Sequence, residues 1–154
     1  MDQEIRIIAK NKKAAFDYFI ITKYEAGISL YGTEIKSIRQ GKVNLKDSYC
    51  EIDGGEMFVL GMHISPYEKG SYFNKDPLRP KKLLMHKKEI MTLLGKVKQD
   101  GLTLIPLSLY FKGSKVKVEL GLCKGKKLYD KRDTIARKES DRAIERQLKE
   151  RNAY

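Results

Sequence analysis

The chain has 154 residues, 41% of them hydrophobic, with 32 Lys and Arg against 20 Asp and Glu, a formal net charge of +12. This length supports one hydrophobic core with appendages, and the charge favours nucleic acid or an anionic membrane as partner. A membrane protein is disfavoured because no apolar run approaches the roughly 20 residues of a span. Since residues 1–4 do not resemble a signal peptide, we expect a cytoplasmic protein.

The first predicted elements are a long strand and a short helix. Residues 17–30 are largely β-branched and aromatic, which indicates one strand bent at Gly27. A helix of two turns is predicted over residues 34–39, with Thr33 as its N-terminal cap and Gly41 as its stop.

Two hairpins supply most of the remaining strands. Residues 48–52 and 57–60 flank an Asp-Gly-Gly-Glu turn, and residues 105–111 and 116–122 alternate in polarity on either side of a Lys-Gly-Ser turn. Five or six strands with two inserted helices predict a mainly β fold, a small closed or nearly closed barrel of OB-like character with flanking helices.

A loop and a helix separate the hairpins. Residues 66–80 are punctuated by Pro and Gly, and residues 84–97 are apolar at helical spacing up to Gly101, which predicts a core-facing helix. Rings and cations alternate in the loop: Tyr67, Lys69, Tyr72, Phe73, Lys75 and Arg79. They can stack bases and hold phosphates, or the rings can simply cover the core.

The C-terminal segment has a different composition. Residues 124–154 hold 11 basic and 6 acidic side chains, a net charge of +5, with no Pro and only one Gly. Helix is locally permitted, but the apolar stripe is too thin to anchor it on a core. We therefore divide the chain into an RNA-binding β-barrel core with inserted helices, residues 1–123, and a basic tail, residues 124–154. The tail is expected to be disordered when free and helical on an RNA or ribosomal surface, the alternative being a solvated helix without partner.

Catalytic and metal chemistry find little support. Cys50 and Cys123 lack companions at ligand spacing and are expected to be packed thiols, and no nucleophile motif surrounds His63 or His86. A magnesium site of an RNA-cleaving enzyme would have to come from Glu34, Asp47, Glu51 and Asp53. Scattered carboxylates on a barrel are usually surface residues, so we expect a binding protein with no metal or cofactor.

Collinear sequence blocks between Asn11 and Arg132 resemble a known family. They span residues 11–14, 18–20, 25–27, 32–39, 44–49, 79–84, 104–107, 124–127 and 130–132. On these blocks the chain resembles the SsrA-binding protein (SmpB) family, the partner of transfer-messenger RNA. The resemblance implies an oligonucleotide-binding barrel with flanking helices and a tail that is disordered in solution.

For function, the resemblance implies trans-translation, the rescue of stalled ribosomes. Such a protein binds the tRNA-like domain of transfer-messenger RNA, supports its alanylation by alanyl-tRNA synthetase, and enters the ribosome with the elongation GTPase. Its tail would occupy the decoding centre of the small-subunit RNA and the empty message channel. Barrel and charge alone also permit a general single-stranded RNA-binding or ribosomal protein.

The resemblance and the side-chain chemistry together assign two sets of RNA-facing residues. In the core these are Asn11, Lys12, Glu25, Glu34, Lys36, Arg39, Asn44, Asp47, Ser48, Tyr49, Asn74, Arg79, Lys82, Leu84 and His86. In the tail segment they are Lys124, Gly125, Lys126, Lys127, Tyr129, Asp130, Lys131, Arg132, Arg137, Lys138 and Arg142. The family often has asparagine at His86 and histidine at Tyr129. Strand-edge pairing of Glu25 and core packing of Leu84 stay open as alternatives, as does turn capping by Asn44, Asp47 and Ser48.

Overall fold

The computed structural model describes residues 4–70 and 74–152, with side chains as far as residue 146. Within these residues the chain forms nine strands and four helices. They are, in order, β1 (Ile5–Lys10), α1 (Lys12–Asp17), β2 (Tyr18–Ile28), α2 (Gly32–Arg39), β3 (Val43–Asn44), β4 (Tyr49–Asp53), β5 (Glu56–Leu60), β6 (His63–Ile64), β7 (Lys81–Leu84), α3 (Lys87–Asp100), β8 (Thr103–Lys112), β9 (Lys115–Gly125) and α4 (Leu128–Asn152). Tyr72 and Phe73, for which base stacking and covering of the core were both open, lie outside the described residues.

Seven strands form one antiparallel sheet in the order β1-β8-β4-β5-β7-β2-β9, and β9 pairs again with β8. The six strands from β8 round to β9 therefore close partly into a ring, while β1 adds to the other end of β8. The ring has the fewest paired residues at the β4–β8 seam, where Cys50 pairs with Leu104. The predicted OB-like barrel with flanking helices is confirmed.

Strand β8 contributes to two hydrophobic cores because it is buried on both faces. One face, with Leu104 and Leu109, joins the barrel interior. The other face, with Ile105 and Leu107, packs under α1 through Ala14. The short helix α1 therefore covers a second apolar layer. The sequence of a strand shows that its residues are apolar, but it does not show which helix packs on its second face.

Both predicted hairpins and the long strand predicted over residues 17–30, observed as β2, are confirmed, while its bend at Gly27 stays a prediction. Five elements were missed. These are β1, which lies on the outer side of β8, the six-residue helix α1, the two-residue strands β3 and β6, and β7. The helix predicted over residues 84–97 begins only at Lys87, with His86 as its N-cap, and Leu84 belongs to β7. The count of five or six strands and two helices was thus too low.

The predicted N-cap of α2 lies two residues after the observed one. The N-cap is Tyr31 rather than Thr33, and the backbone N–H of Tyr31 donates to Glu34 Oε1 at 2.9 Å. Gly41 ends the turn after the helix with a φ of +74°, a left-handed conformation that glycine adopts without strain. The stop at Gly41 is confirmed.

Helix α4 extends from the barrel and exposes most of its residues. Its helical conformation is the one expected for the bound tail, and the tail's disorder in the free protein stays a prediction. No helix in the described part of the chain is long and apolar enough to cross a membrane. Cys50 and Cys123 are buried, as predicted, and burial raises the pKa of the Cys123 thiol to about 11.

Candidate RNA interface

A cavity of about 680 Å³ is a groove where β2, β7 and the start of α3 meet, and we call it the β2–β7 groove. Its floor is formed by β2, β7 and β5, because β7 pairs with both of the other strands. In the β2–β7 pairing, Gly27 lies opposite Leu84. The groove brings together four residues assigned from the sequence: Glu25, Lys82, Leu84 and His86.

Glu25 is held in place by the strand on the far side of the hairpin. The Tyr110 hydroxyl donates to Glu25 Oε2 at 2.5 Å, and Lys112 Nζ lies 3.3 Å from Oε1. The hydrogen bond from Tyr110, aided by Lys112, lowers the pKa of the Glu25 carboxyl, which stays ionised. Because a carboxylate has about four acceptor positions, Glu25 keeps capacity for a donor on a ligand.

Leu84 projects from the floor of the groove and is 53% exposed, so the alternative that it packs in the core is wrong. A Cβ at Gly27 would lie 3.2 Å from the Leu84 Cβ, so glycine at this position leaves the leucine undisturbed. An exposed leucine beside a fixed carboxylate offers one apolar and one polar contact at neighbouring points.

Cations border the groove. Lys82 Nζ lies 3.1 Å from Glu56 Oε1, with both side chains about half exposed, so the pair is weak and water can replace it. Lys87 and Lys117 also line the groove, and His86 is exposed at the start of α3. These groups suit phosphates on either side of the Glu25 contact.

A smaller cleft of about 190 Å³ lies between α1 and the start of β4. It gathers Asn11, Asp47, Ser48 and Tyr49 from the assigned set. The Asn11 amide donates to the Pro106 carbonyl at 3.1 Å, and Ser48 Oγ donates to the Leu45 carbonyl at 2.5 Å, so both side chains fix the local backbone. Tyr49 is 43% exposed and is the side chain of this set best placed to meet a ligand.

Lys13 belongs to the same cleft, and the sequence did not single it out. Its Nζ lies 2.9 Å from Asp47 Oδ1, and this bond lowers the pKa of Asp47 and raises the pKa of Lys13. Asn44 Oδ1 accepts from the Lys46 backbone at 2.8 Å, so the turn-capping alternative holds for Asn44. Asp47 has a φ of +62°, which fits a tight turn before β4.

Three assigned residues near α2 already have partners within the protein. Glu34 is buried, and its Oε1 accepts a hydrogen bond from Arg79 Nη2 at 2.6 Å. Asn74 bonds the Tyr67 backbone with both ends of its amide. Their first role is to position the α2 region, and Lys36 beside them is exposed.

The remaining core positions are not gathered into these cavities. Lys12 is exposed on α1, and Arg39 lines a separate cavity of about 450 Å³ with Arg6 at the β8–β9 turn. The carboxylates considered for magnesium do not meet, because Glu34 pairs with Arg79 while Asp47 pairs with Lys13. Within residues 4–70 and 74–152, no group of three His, Cys, Asp or Glu side chains could hold a metal ion.

The base of the tail is fastened to α1. Lys126 Nζ donates to the Ala15 carbonyl at 3.2 Å, and Lys131 Nζ lies 3.2 Å from Asp17 Oδ1. Lys124 and Gly125 end β9, and Tyr129 is 60% exposed. Asp130 Oδ2 accepts from the Lys127 backbone at 3.2 Å and starts the helix. The other assigned tail residues are exposed along α4: Arg132, Arg137, Lys138 and Arg142.

Comparison with known proteins identifies the family. The model of the family described as "SmpB protein" matches residues 8–150. An SsrA-binding protein of Acetivibrio thermocellus is 60% identical over 148 residues, 96% of each chain. One of Clostridium novyi is 61% identical over 153 residues, 99% of this chain and 98% of the relative.

A solved structure described as "tmRNA-SmpB: a journey to the center of the bacterial ribosome" superposes with a TM-score of 0.66. It is 52% identical and covers 78% of this chain and 85% of its own. The expectation of a binding protein rather than an enzyme is confirmed, since these relatives are named for binding an RNA. By family match and by identity over nearly its whole length, the chain belongs to the SmpB protein family.

Proposed function

We propose that this protein binds the tRNA-like domain of transfer-messenger RNA and delivers it to stalled ribosomes for trans-translation. The observation that carries the proposal is identity of about 60% over nearly the full length of proteins named for SsrA binding. The shape of the barrel agrees, because it gathers Glu25, Lys82, Leu84 and His86 in one groove. A general single-stranded RNA binder requires no such fixed carboxylate.

In this proposal the β2–β7 groove reads the folded RNA. A carboxylate at an RNA surface repels phosphates, so it contributes only where it accepts from a donor such as a guanine N–H or a 2′-hydroxyl. Glu25 is fixed for that role by Tyr110 and Lys112. Leu84 supplies an apolar contact to an unstacked base or ribose, and the surrounding lysines neutralise phosphates.

The tail acts on the ribosome rather than on the free RNA. Helix α4 has 25 residues, which at 1.5 Å per residue span about 37 Å, enough to occupy a message channel rather than one codon. Tyr129 can stack on a ribosomal base, while Lys131, Arg132 and the cations beyond them bind phosphate. Residues 1–123 are therefore the RNA-binding core and residues 124–154 the ribosome-binding tail.

The same proposal places the protein in the cytoplasm, where ribosomes stall, and includes two indirect partners. Alanyl-tRNA synthetase charges the bound RNA, and the elongation GTPase carries the complex to the ribosome. These partners act on the RNA that the protein holds, so the protein itself needs no catalytic group.

Truncation after Arg132 tests this division of labour. We expect affinity for free transfer-messenger RNA within about twofold of the parent, because the groove is intact, and loss of tag addition in a reconstituted translation reaction on a message without a stop codon. A matched full-length variant, Arg137→Gln with Lys138→Gln, should reduce tagging and leave RNA affinity nearly unchanged. Equal loss of both activities on truncation would contradict the proposal.

A further inference from the structure

Another concave site lies between the start of α2 and the loop 65–80, and none of its lining residues belongs to the β2–β7 groove. Its volume is about 420 Å³. We call it the tyrosine–lysine pocket because two rings and three ammonium groups line it: Tyr31, Tyr67, Lys36, Lys69 and Lys75.

Both tyrosine rings make cation–π contacts with neighbouring cations. Lys75 Nζ lies 4.5 Å from the centre of the Tyr31 ring, and Arg79 Cζ lies 4.7 Å from it. Lys36 Nζ lies 5.4 Å from the centre of the Tyr67 ring. Such cation–π contacts stabilise positive charges that would otherwise repel one another, and Tyr31 is still half exposed.

The positive charge of the pocket is not balanced inside it. Glu34, the nearest acid on α2, is buried and engaged by Arg79 at 2.6 Å. Glu68 on the loop pairs with Lys42 at 3.6 Å. No carboxylate lines the pocket among the residues that the structure describes, so it attracts an anion.

Hydrogen bonds within the loop give the pocket its shape without a ligand. The Tyr67 backbone N–H donates to Asn74 Oδ1 at 2.9 Å, and Asn74 Nδ2 donates to the Tyr67 carbonyl at 2.8 Å. A Cβ at Gly70 would lie 2.7 Å from Asn74 Oδ1, so the loop closes this tightly only with glycine there. A preformed pocket loses less conformational entropy on binding than a flexible one.

The chemistry of the pocket matches a nucleotide. Aromatic walls accept a planar base, ammonium groups accept phosphate, and the volume falls within the roughly 300–1,000 Å³ of small-ligand sites. We propose that the tyrosine–lysine pocket binds one unpaired nucleotide of an RNA chain, with the base against the tyrosine rings and the flanking phosphates on Lys69 and Lys75. This rests on the proposed function only in that RNA is the ligand, because the pocket requires no tRNA-like fold.

Binding of a labelled, unstructured oligouridylate of about eight nucleotides to the full-length protein tests the pocket. Tyr31→Leu and Tyr67→Leu should each weaken binding by about fivefold or more, with the salt dependence unchanged, since they remove stacking. The double variant Lys69→Gln with Lys75→Gln should weaken binding and also flatten the dependence of affinity on salt. The matched control is Lys96→Gln with Lys98→Gln on α3, which removes the same charge outside the pocket.

Three results would overturn the proposal. The first is affinity within about twofold of the parent for both tyrosine variants, and the second is equal behaviour of the two lysine pairs. The third is displacement of the oligouridylate by uridine monophosphate at equal concentration, which would assign the pocket to a free nucleotide. Failure of the pocket leaves the preference for transfer-messenger RNA over bulk tRNA intact, whereas failure of the proposed function removes that preference and leaves oligouridylate binding unchanged. Circular dichroism confirms that each variant is folded.

Discussion

At Glu25, the bonds from Tyr110 and Lys112 decide what the carboxylate can do. They keep its pKa below the ordinary value, so Glu25 stays charged at neutral pH, and they orient it toward the groove. A charge that merely sits near RNA would weaken binding. A charge that accepts a hydrogen bond from the RNA strengthens it, and the two cases predict opposite effects of removing it.

Glu25→Gln should therefore weaken binding to the tRNA-like domain by about tenfold, in line with loss of a charge-assisted hydrogen bond. The control is Glu119→Gln, because Glu119 is the strand partner of Glu25 on β9 and carries the same charge. Glu119→Gln should leave affinity unchanged or slightly raised. Filter binding or fluorescence anisotropy measures both, and tighter binding by Glu25→Gln would contradict the assigned role.

Lys81 is a buried lysine that the sequence did not reveal. It is fully buried, and its Nζ donates to the carbonyls of Met62 at 2.6 Å and Pro77 at 3.0 Å. Burial lowers its pKa to about 8, while nearby Glu34 opposes that shift. Its hydrogen-bond partners lie in other segments of the chain. The local Lys-Lys-Leu-Leu sequence therefore gives no sign that the first lysine is buried in the folded barrel.

The lowered pKa of Lys81 predicts how stability varies with pH. Between its folded value of about 8 and its ordinary value of 10.5, the unfolded chain binds more protons than the folded one. The free energy of unfolding should therefore rise across this window by roughly 3 kcal/mol from Lys81. Urea denaturation of the parent and of Lys81→Met at several pH values measures it, and parallel curves for the two proteins would contradict it.

Among the elements, α1 connects the barrel to the tail. The Lys126 backbone N–H donates to the Asp17 carbonyl at 2.9 Å, and Lys131 Nζ lies 3.2 Å from the Asp17 carboxylate. Lys126 also lies 5.0 Å from the centre of the Phe19 ring on β2. Cations assigned to ribosomal RNA are thus occupied in the free protein, and phosphate would compete with Asp17 for Lys131.

Asp17→Asn should loosen the start of α4. We expect amide hydrogen exchange over residues 129–135 to accelerate by about threefold, in line with the small free energy of a partly exposed ion pair. Asp141→Asn removes a carboxylate from the exposed middle of the same helix and should leave that exchange unchanged. Identical exchange in Asp17→Asn and the parent would show that the ion pair does not hold the tail.

The elements that were predicted depend on residues close together in the sequence, whereas those that were missed depend on contacts with distant segments. The two hairpins follow from alternation and turn residues within about 20 positions, so they are predictable. Helix α1 has six residues, too few to show a helical period, and β7 depends on buried Lys81. Leu84 matched a helical spacing by coincidence, because β7 and α3 follow each other closely.

For the whole molecule, the grouping of site residues depends on closure of the barrel. Glu25 and Leu84 are distant in sequence and meet because β2 pairs with β7. The sequence supplied the residues through family resemblance but not their division into a groove, a cleft and a pocket. Lys13 and Tyr31 could have been found only from their contacts, because isolated lysines and tyrosines carry no distinctive sequence signal.

The central claim is that this protein prefers one folded RNA, and competition binding at about 150 mM salt tests it most directly. Labelled transfer-messenger RNA is bound to the full-length protein and challenged with excess bulk tRNA and with unstructured RNA of equal length. We predict that both competitors are weaker by about a hundredfold or more. Displacement by either one at near parity would contradict the account and leave a basic barrel that binds RNA without selecting it.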